Sequence, residues 1–338
     1  MTNRIDRLWY ERQRPHALLR PLARLFSAIV RRRRRAFLDG RRAVTRVAVP
    51  VLVVGNVTVG GTGKSPFTAW LVRYLQDKGW RPVVLSRGYG GDASHYPFLV
   101  TGECDPRESG DEPVMLAQQT GAYVVVDPNR ARGAGYAIEQ ALGDILICDD
   151  GLQHYALARD LEFCVFDGSR GTGNGALLPA GPLREPAERA LETDFVLING
   201  EPEHQSFSRP PLTECAMHRV QLAPVRLRHL HSGEIHALDW LDGRVVNAVA
   251  GIGNPARFFD TLTDLGAKVI PHAFPDHHSF QPTDLEHRHG PLVMTAKDAV
   301  KCQSIAPDDS WVLDVVAQPG EALQKALDRK LAVWKNRK

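Results

Sequence analysis

The stretch VVGNVTVGGTGKSPF, Val53 to Phe67, decides how the rest of the chain is read. An apolar β-branched run enters a turn containing Gly60, Gly61 and Gly63, after which Lys64 and Ser65 open a helical stretch, PFTAWLVRYLQDKG. This order suits a phosphate-binding loop. Glycines let backbone N–H groups converge on phosphate oxygens, and the helix N-terminus adds the positive end of its dipole. In such a loop Lys64 reaches the β- and γ-phosphates and Ser65 ligates Mg²⁺. Pro66 is tolerated because the first helical turn has no use for its missing N–H. Thr58 stands where the pattern G-x-x-x-x-G-K-[ST] has its first glycine, which it can do if its backbone angles stay in an ordinary region. The expected nucleotide ligands are Thr58, Gly60, Gly61, Thr62, Gly63, Lys64 and Ser65.

Outward from this loop, short apolar runs (VAVPVLVVGN, RPVVLSRG, AYVVVDP, DILICDDG, LEFCVFDG, DFVLING) alternate with helical stretches. Near-continuous apolar strands of this kind imply a parallel sheet covered on both faces, here a doubly wound α/β domain with a strand predicted over Val47 to Val54. The run ILIC ends in Asp149 and Asp150, a Walker B-like pair placed to organise Mg²⁺, and paired carboxylates at the tip of a buried strand are costly without a cation. No N-K-x-D guanine signature is present, since Thr295-Ala296-Lys297-Asp298 only grazes it, so ATP is favoured over GTP. Val59 occupies the signature lysine position of partitioning-type ATPases, which argues against that class. The polar, Pro-rich segment 200–215 reads as a linker. The expected division is a basic arm (1–46), a P-loop nucleotide-binding domain (47–205) and a smaller α/β domain (206–338) with strands in VVNAVAGIGNP, PLVMTAKD and SWVLDVVA and a last helix from Gly320.

At 338 residues, with 43% hydrophobic and 24% charged residues, 29 Gly and 23 Pro, the composition is that of a folded, loop-rich protein. Five scattered cysteines without a C-x-x-C pair give no disulfide framework and no cysteine zinc site, which fits a reducing cytosol. The net charge of +3 conceals an asymmetry: residues 1–46 carry fourteen arginines against Asp6, Glu11 and Asp39, a net +11 that leaves −8 for the remainder. Leu18, Leu22, Leu25, Phe26 and Ile29 share one helical face, followed by five arginines at 31–35. The apolar run is far short of the roughly 20 residues a bilayer span needs. Its charge lies on the wrong side for a secretory signal. A basic amphipathic helix of this type suits an anionic membrane surface, with about 1 kcal/mol per basic residue near it. A helix packed on the domain by its leucines is the plainer reading, and no nucleic-acid module accompanies the arginines, so no nucleic-acid partner is expected.

Nine segments, the loop included, in order along almost the whole chain, resemble the tetraacyldisaccharide 4′-kinase family: GNVTVGGTGKSP (55–66), LSRGYGG (85–91), SGDEPVMLA (109–117), DPNRARGA (127–134), DDGLQH (149–154), LLPAGPLREP (177–186), AGIGNPARFF (250–259), FPDHHSF (274–280) and TAKDAVKC (295–302). Thr58 is no departure within that family. The resemblance implies transfer of the ATP γ-phosphate to the 4′-hydroxyl of tetraacyldisaccharide 1-phosphate, an acylated disaccharide lipid, with ATP and Mg²⁺ as cofactors. It implies a peripheral, monotopic protein on the cytoplasmic side of the inner membrane. By the family pattern Asp111 accepts the hydroxyl proton with His277 as dyad partner, which requires the two domains to close, and Glu112 supports Mg²⁺ or nucleotide. Read alone, Asp111 is as readily a helix N-cap, and His278 competes with His277. Arg130 and Arg184 are candidates for phosphate or substrate binding. His272, His277, His278, His287 and His289 match no strong zinc spacing. A phosphotransferase with a soluble acceptor and a nucleotide-gated interaction protein are the competing readings.

Overall fold

The computed structural model describes residues 5, 7–11, 14–286 and 290–335. His287 and His289 therefore lie outside the described residues. Among the described residues thirteen strands form one sheet, ordered β11-β10-β12-β13-β8-β7-β6-β1-β5-β2-β4-β3, with β9 beside β8. The strands are β1 (Val51–Gly55), β2 (Pro82–Ser86), β3 (Phe98–Val100), β4 (Tyr123–Val126), β5 (Ile145–Asp149), β6 (Leu161–Asp167) and β7 (Phe195–Asn199), followed by β8 (Met217–His229), β9 (Ile235–His236), β10 (Val245–Ala250), β11 (Lys268–Ala273), β12 (Leu292–Thr295) and β13 (Ser310–Pro319). The fold is mixed α/β with a large, mostly parallel sheet. β1, β5, β6, β7 and β8 run parallel, as do β10 to β13. The two sets meet where β8 pairs antiparallel with β13.

The first strand begins at Val51, not at Val47. Pro50 has no N–H to give a ladder, and only its carbonyl contributes, accepting from Leu146 N at 2.9 Å. Segment 200–215 holds only short 3₁₀ turns. Beyond it, β8 is a strand of thirteen residues that sequence reading missed, because its alternation is interrupted by Pro224 and charged positions.

The helices that matter for the cleft are α1 (Arg20–Leu38), α2 (Lys64–Asp77), α3 (Asp111–Thr120), α4 (Arg130–Glu139), α5 (Pro255–Asp264), α6 (Ala296–Cys302) and α7 (Glu321–Lys335). Helix α7, grouped with 206–338 on sequence grounds, returns to the first half of the sheet. Its Leu323, Leu327 and Leu331 join the core beneath α2, and Asp328 accepts from Tyr74 at 2.7 Å and from Lys78 at 3.1 Å. Helix α1 buries only Ala23. Its C-terminal turns are tied down through Tyr155, which meets Phe37 at 6.0 Å and Arg34 at 5.8 Å. The leucine face points outward: Leu18 of the preceding 3₁₀ turn and Leu22, Leu25 and Ile29 of the helix are 80%, 54%, 60% and 56% exposed. The leucines thus do not pack the helix onto the body.

The core under β1 and β6 is aromatic. Phe163 is fully buried, with its ring 5.3 Å from Phe67 and 5.0 Å from Phe195. Phe163→Ala is expected to cost about 3–5 kcal/mol through lost burial and the cavity left behind. Urea unfolding measures it, and a loss below about 1 kcal/mol would mean the site collapses around the smaller side chain.

Candidate active site

A cleft of about 1100 Å³ lies where the strand ends of both halves come together. The turn after β1 forms one wall. Gly60 and Gly63 have φ of 101° and 90°, which only glycine adopts readily, and Gly63 precedes the first turn of α2. Thr58 is buried and bridges to Leu183. Asn56, fully buried, ties the turn together through Thr58 Oγ1 at 3.5 Å and Thr62 Oγ1 at 3.3 Å. From outside, Tyr10 donates its hydroxyl to the Val59 carbonyl at 3.2 Å. Gly60 to Lys64, Ser65, Glu112, Asp149, Asp150, Arg130, Arg184 and His277 all line the same cleft.

Two carboxylates at the end of β5 are held in opposite states. Asp149 is buried, accepts from Thr68 Oγ1 at 2.8 Å, and is pushed up to about 7 by burial and by the neighbouring charge of Glu112. Burial also works against ionised Asp150, but Lys64 and Arg184 outweigh it and hold that carboxyl far below the usual range. Lys64 Nζ stands 3.7 Å from Asp150 Oδ1, and Arg184 Nη1 donates to Oδ2 at 2.8 Å. Asp150 Oδ1 has no hydrogen-bond donor. The backbone of Asp150 is left-handed, at φ 47°. Buried, under-coordinated carboxylate oxygens are hard donors of the type Mg²⁺ takes. No three acidic or imidazole groups among the described residues close on a point.

The opposite wall is a charged cluster spanning both halves. His277 Nδ1 is 3.2 Å from Asp111 Oδ2, across 166 residues of chain. His277 also adopts a left-handed φ of 59° and packs its ring against Tyr89 at 4.8 Å. Such backbone at non-glycine residues gathers at functional sites. His278 turns away and pairs with Asp284 at 3.0 Å. Asp111 is the first residue of α3, whose cap is Gly110, so its side chain is not the N-cap. Burial would raise Asp111, yet the bond to His277 and the charge of Lys297 hold it below the carboxylate range, while the same bond overcomes burial to raise His277.

Sequence reasoning assigned no role to Lys297, although TAKDAVKC was among the segments it singled out. Lys297 Nζ lies 3.2 Å from Glu112, 3.1 Å from Asp276, 3.3 Å from His277 Nε2 and 4.0 Å from Asp111. Burial works against its charge and these carboxylates overcome it. His154, also in the cleft, is pushed down to about 3 by burial and by Arg130. Arg130 is buried, with Nη1 on the Asp127 carbonyl at 2.9 Å and Nη2 on the Asp149 carbonyl at 3.1 Å, so its guanidinium braces the end of β5. Arg184 reaches the cleft through Asp150.

A model of the tetraacyldisaccharide-1-P 4′-kinase family, LpxK, matches residues 15–332. The chain belongs to that family. It is similar to the tetraacyldisaccharide 4′-kinase of Pseudomonas paraeruginosa strain PA7, 45% identical over 334 residues with 98% of this chain and 97% of the relative covered. The enzyme of the same name from Pseudomonas putida strain F1 is 46% identical over 331 residues, covering 96% and 97%. Among solved structures, LpxK of Aquifex aeolicus in complex with ATP superposes with a TM-score of 0.77 at 29% identity, covering 93% of this chain and 98% of that one.

Within this member of the LpxK family, the raised Asp149 has a consequence for stability. A carboxyl raised on folding contributes its full stability below its unfolded value, and loses it as pH rises through the folded one. Asp149→Asn keeps the oxygen facing Thr68 and removes the charge. In Mg²⁺-free buffer it should melt with wild type near about pH 4 and clearly above wild type at about pH 8. Equal melting at both pH values would mean that the Asp149 charge is not strained.

Proposed function

We propose that this protein transfers the γ-phosphate of ATP to the 4′-hydroxyl of tetraacyldisaccharide 1-phosphate, forming the 4′-phosphorylated lipid and ADP. The observation that carries this reading is the convergence, in one cleft, of a glycine-rich turn with Lys64, the Asp149/Asp150 pair and His277, which is paired to the buried Asp111.

The N–H groups of Gly60 to Ser65 and the amine of Lys64 hold the phosphates. Asp149, Asp150, Glu112 and Ser65 are the residues that would hold Mg²⁺, which when bound offsets phosphate charge. Arg184, with its fork already at Asp150, is placed to meet the phosphate or sugar side. The Asp111–His277 pair takes the 4′-hydroxyl proton as the hydroxyl oxygen bonds to the γ-phosphorus and the bond to ADP breaks. Asp111, held ionised, is a weak base, and this suffices because in a loose phosphoryl-transfer transition state the proton leaves late. Asp111 belongs to the first half and His277 to the second, and at 3.2 Å the pair is assembled across the two.

The substrate is a lipid, and α1 offers its entry surface. Among the described residues no helix is long and apolar enough to cross a membrane. The exposed leucines beside the arginine run suit peripheral docking on an anionic leaflet, and Phe26, Ile29, Val30 and Arg33 of the same helix line the cleft. These features support the reading of a peripheral protein on the cytoplasmic side of the inner membrane, where ATP is available.

Labelled γ-phosphate should pass from ATP to tetraacyldisaccharide 1-phosphate in detergent micelles, with Asp111→Ala slower by roughly 10²–10⁴-fold at equal folded protein. A folded, ATP-binding wild type that labels no lipid rejects the lipid acceptor. Separately, replacing Leu18, Leu22 and Leu25 by Glu should abolish co-sedimentation with phosphatidylglycerol vesicles, and undiminished binding would remove α1 from the docking role.

A further inference from the structure

The glycine-rich turn is oriented by a neighbouring side chain that is itself gripped from the opposite half of the molecule. Asn199, the last residue of β7, is buried, and its Nδ2 donates to the Thr62 carbonyl at 3.2 Å. Its Oδ1 accepts from Arg257 Nη2 at 3.0 Å, and Arg257 lies on α5. Arginine has donors only, so the amide oxygen must face it and the amide nitrogen must face Thr62. The other arm of Arg257 lies 3.4 Å from Asp167 Oδ2. Asp167 is itself immobilised, because its Oδ1 accepts from Ser169 N at 3.0 Å, Ser169 Oγ at 2.7 Å and Arg170 N at 3.1 Å.

The Thr62–Gly63 peptide is planar and trans, so its C=O and N–H point in opposite directions. With the carbonyl held by Asn199, the Gly63 N–H faces away from Asn199. The fit is close: a Cβ on Gly63 would lie 2.5 Å from Asn199 Nδ2 and 3.3 Å from Leu222. Just ahead of α5, a Cβ on Gly253 would lie 2.8 Å from Gly61 N, and the Gly253 carbonyl accepts from Arg170 at 3.2 Å. The turn is therefore pressed from the second half at the residues that should bind phosphate.

We propose that Arg257 is a positioning residue for the nucleotide loop: by donating to Asn199 Oδ1 it fixes the amide that holds the Thr62 carbonyl, and so sets the direction of the Gly63 N–H. This rests on the reading that the loop binds ATP. Without Arg257 the Asn199 amide is free to turn over, presenting its oxygen to another carbonyl, and the loop peptide loses its fixed orientation. Asn199→Asp creates the same conflict with Arg257 in place, since a carboxylate accepts from Arg257 but cannot donate to Thr62.

The test is a double-mutant cycle with Arg257→Gln and Asn199→Asp, using steady-state kinetics for ATP and binding of a fluorescent ATP analogue, with thermal melts to match folded protein. Each single variant should raise the KM for ATP by about tenfold or more with a smaller change in kcat, and the double variant should be no worse than the weaker single one. Arg257→Lys, which keeps a donor, should recover part of the loss. If the two single effects multiply, Arg257 acts on the nucleotide by itself and the proposal falls. A folded wild type that binds no ATP analogue rejects the nucleotide reading, and the proposal with it. Should Arg257→Gln fail to fold, Arg257→Lys and Asn199→Asp complete the same cycle.

Discussion

The antiparallel β8–β13 ribbon is the constraint on which the cleft depends. Parallel strands carry their loops to one edge, and in the first half β1, β5 and β7 deliver the glycine-rich turn, Asp149/Asp150 and Asn199 to that edge. Pairing β13 antiparallel to β8 reverses the strands of the second half. In a flat sheet their loops would emerge at the opposite edge. The register shift between Asp314 and Val315 marks where the ribbon departs from regular pairing, as bulges do when they bend and twist a strand. Leu222, Pro224, Leu313 and Val315 of this ribbon line the cleft, and β10 and β12 turn their following loops toward the turn after β1. A continuous sheet thus brings together residues from both halves without a flexible tether.

Electrostatics follow from that placement. A cleft lined by Glu112, Asp149, Asp150 and Asp276, with the buried Asp111 paired to His277 beside it, would repel itself if empty of cations, because carboxylates out of water require partners. The protein supplies Lys64 and Arg184 to Asp150, and Lys297 and His277 to the Asp111 side. Of these carboxylates, only that of Asp149 has no cationic side chain bonded to it, Arg130 reaching just its main-chain carbonyl, and burial with the charge of Glu112 raises it. The Asp111 side is held ionised by its cationic neighbours, and the end of β5 keeps a carboxyl, Asp149, that a bound cation would ionise. Their difference is one of neighbours, since both are aspartates at the start of a loop or helix.

Much of this was legible in the sequence. The β-branched run, the glycines and Lys64-Ser65 give strand, turn and helix by local chemistry alone, and Asp149-Asp150 at the end of an apolar run marks a strand tip. β8 was not legible, since Pro224 and charged positions interrupt its alternation. Nor were Lys297 and Arg257: a lone lysine or arginine on a helix has no local feature distinguishing it from a solvated one. Asp111 in isolation resembles a cap, and the structure instead gives that position to Gly110 and turns the carboxylate to His277.

What the sequence by itself determined is the set of local conformations and the family to which they belong, because turn chemistry, strand runs and helix starts are written within a few residues. What only the tertiary structure decided is which charges meet. Asp111 and His277 are 166 residues apart, and Arg257 and Asn199 are 58 apart. Such pairs depend on how a bent sheet returns its strand ends to one place, and hydrogen bonds formed across that distance leave no periodicity in the chain.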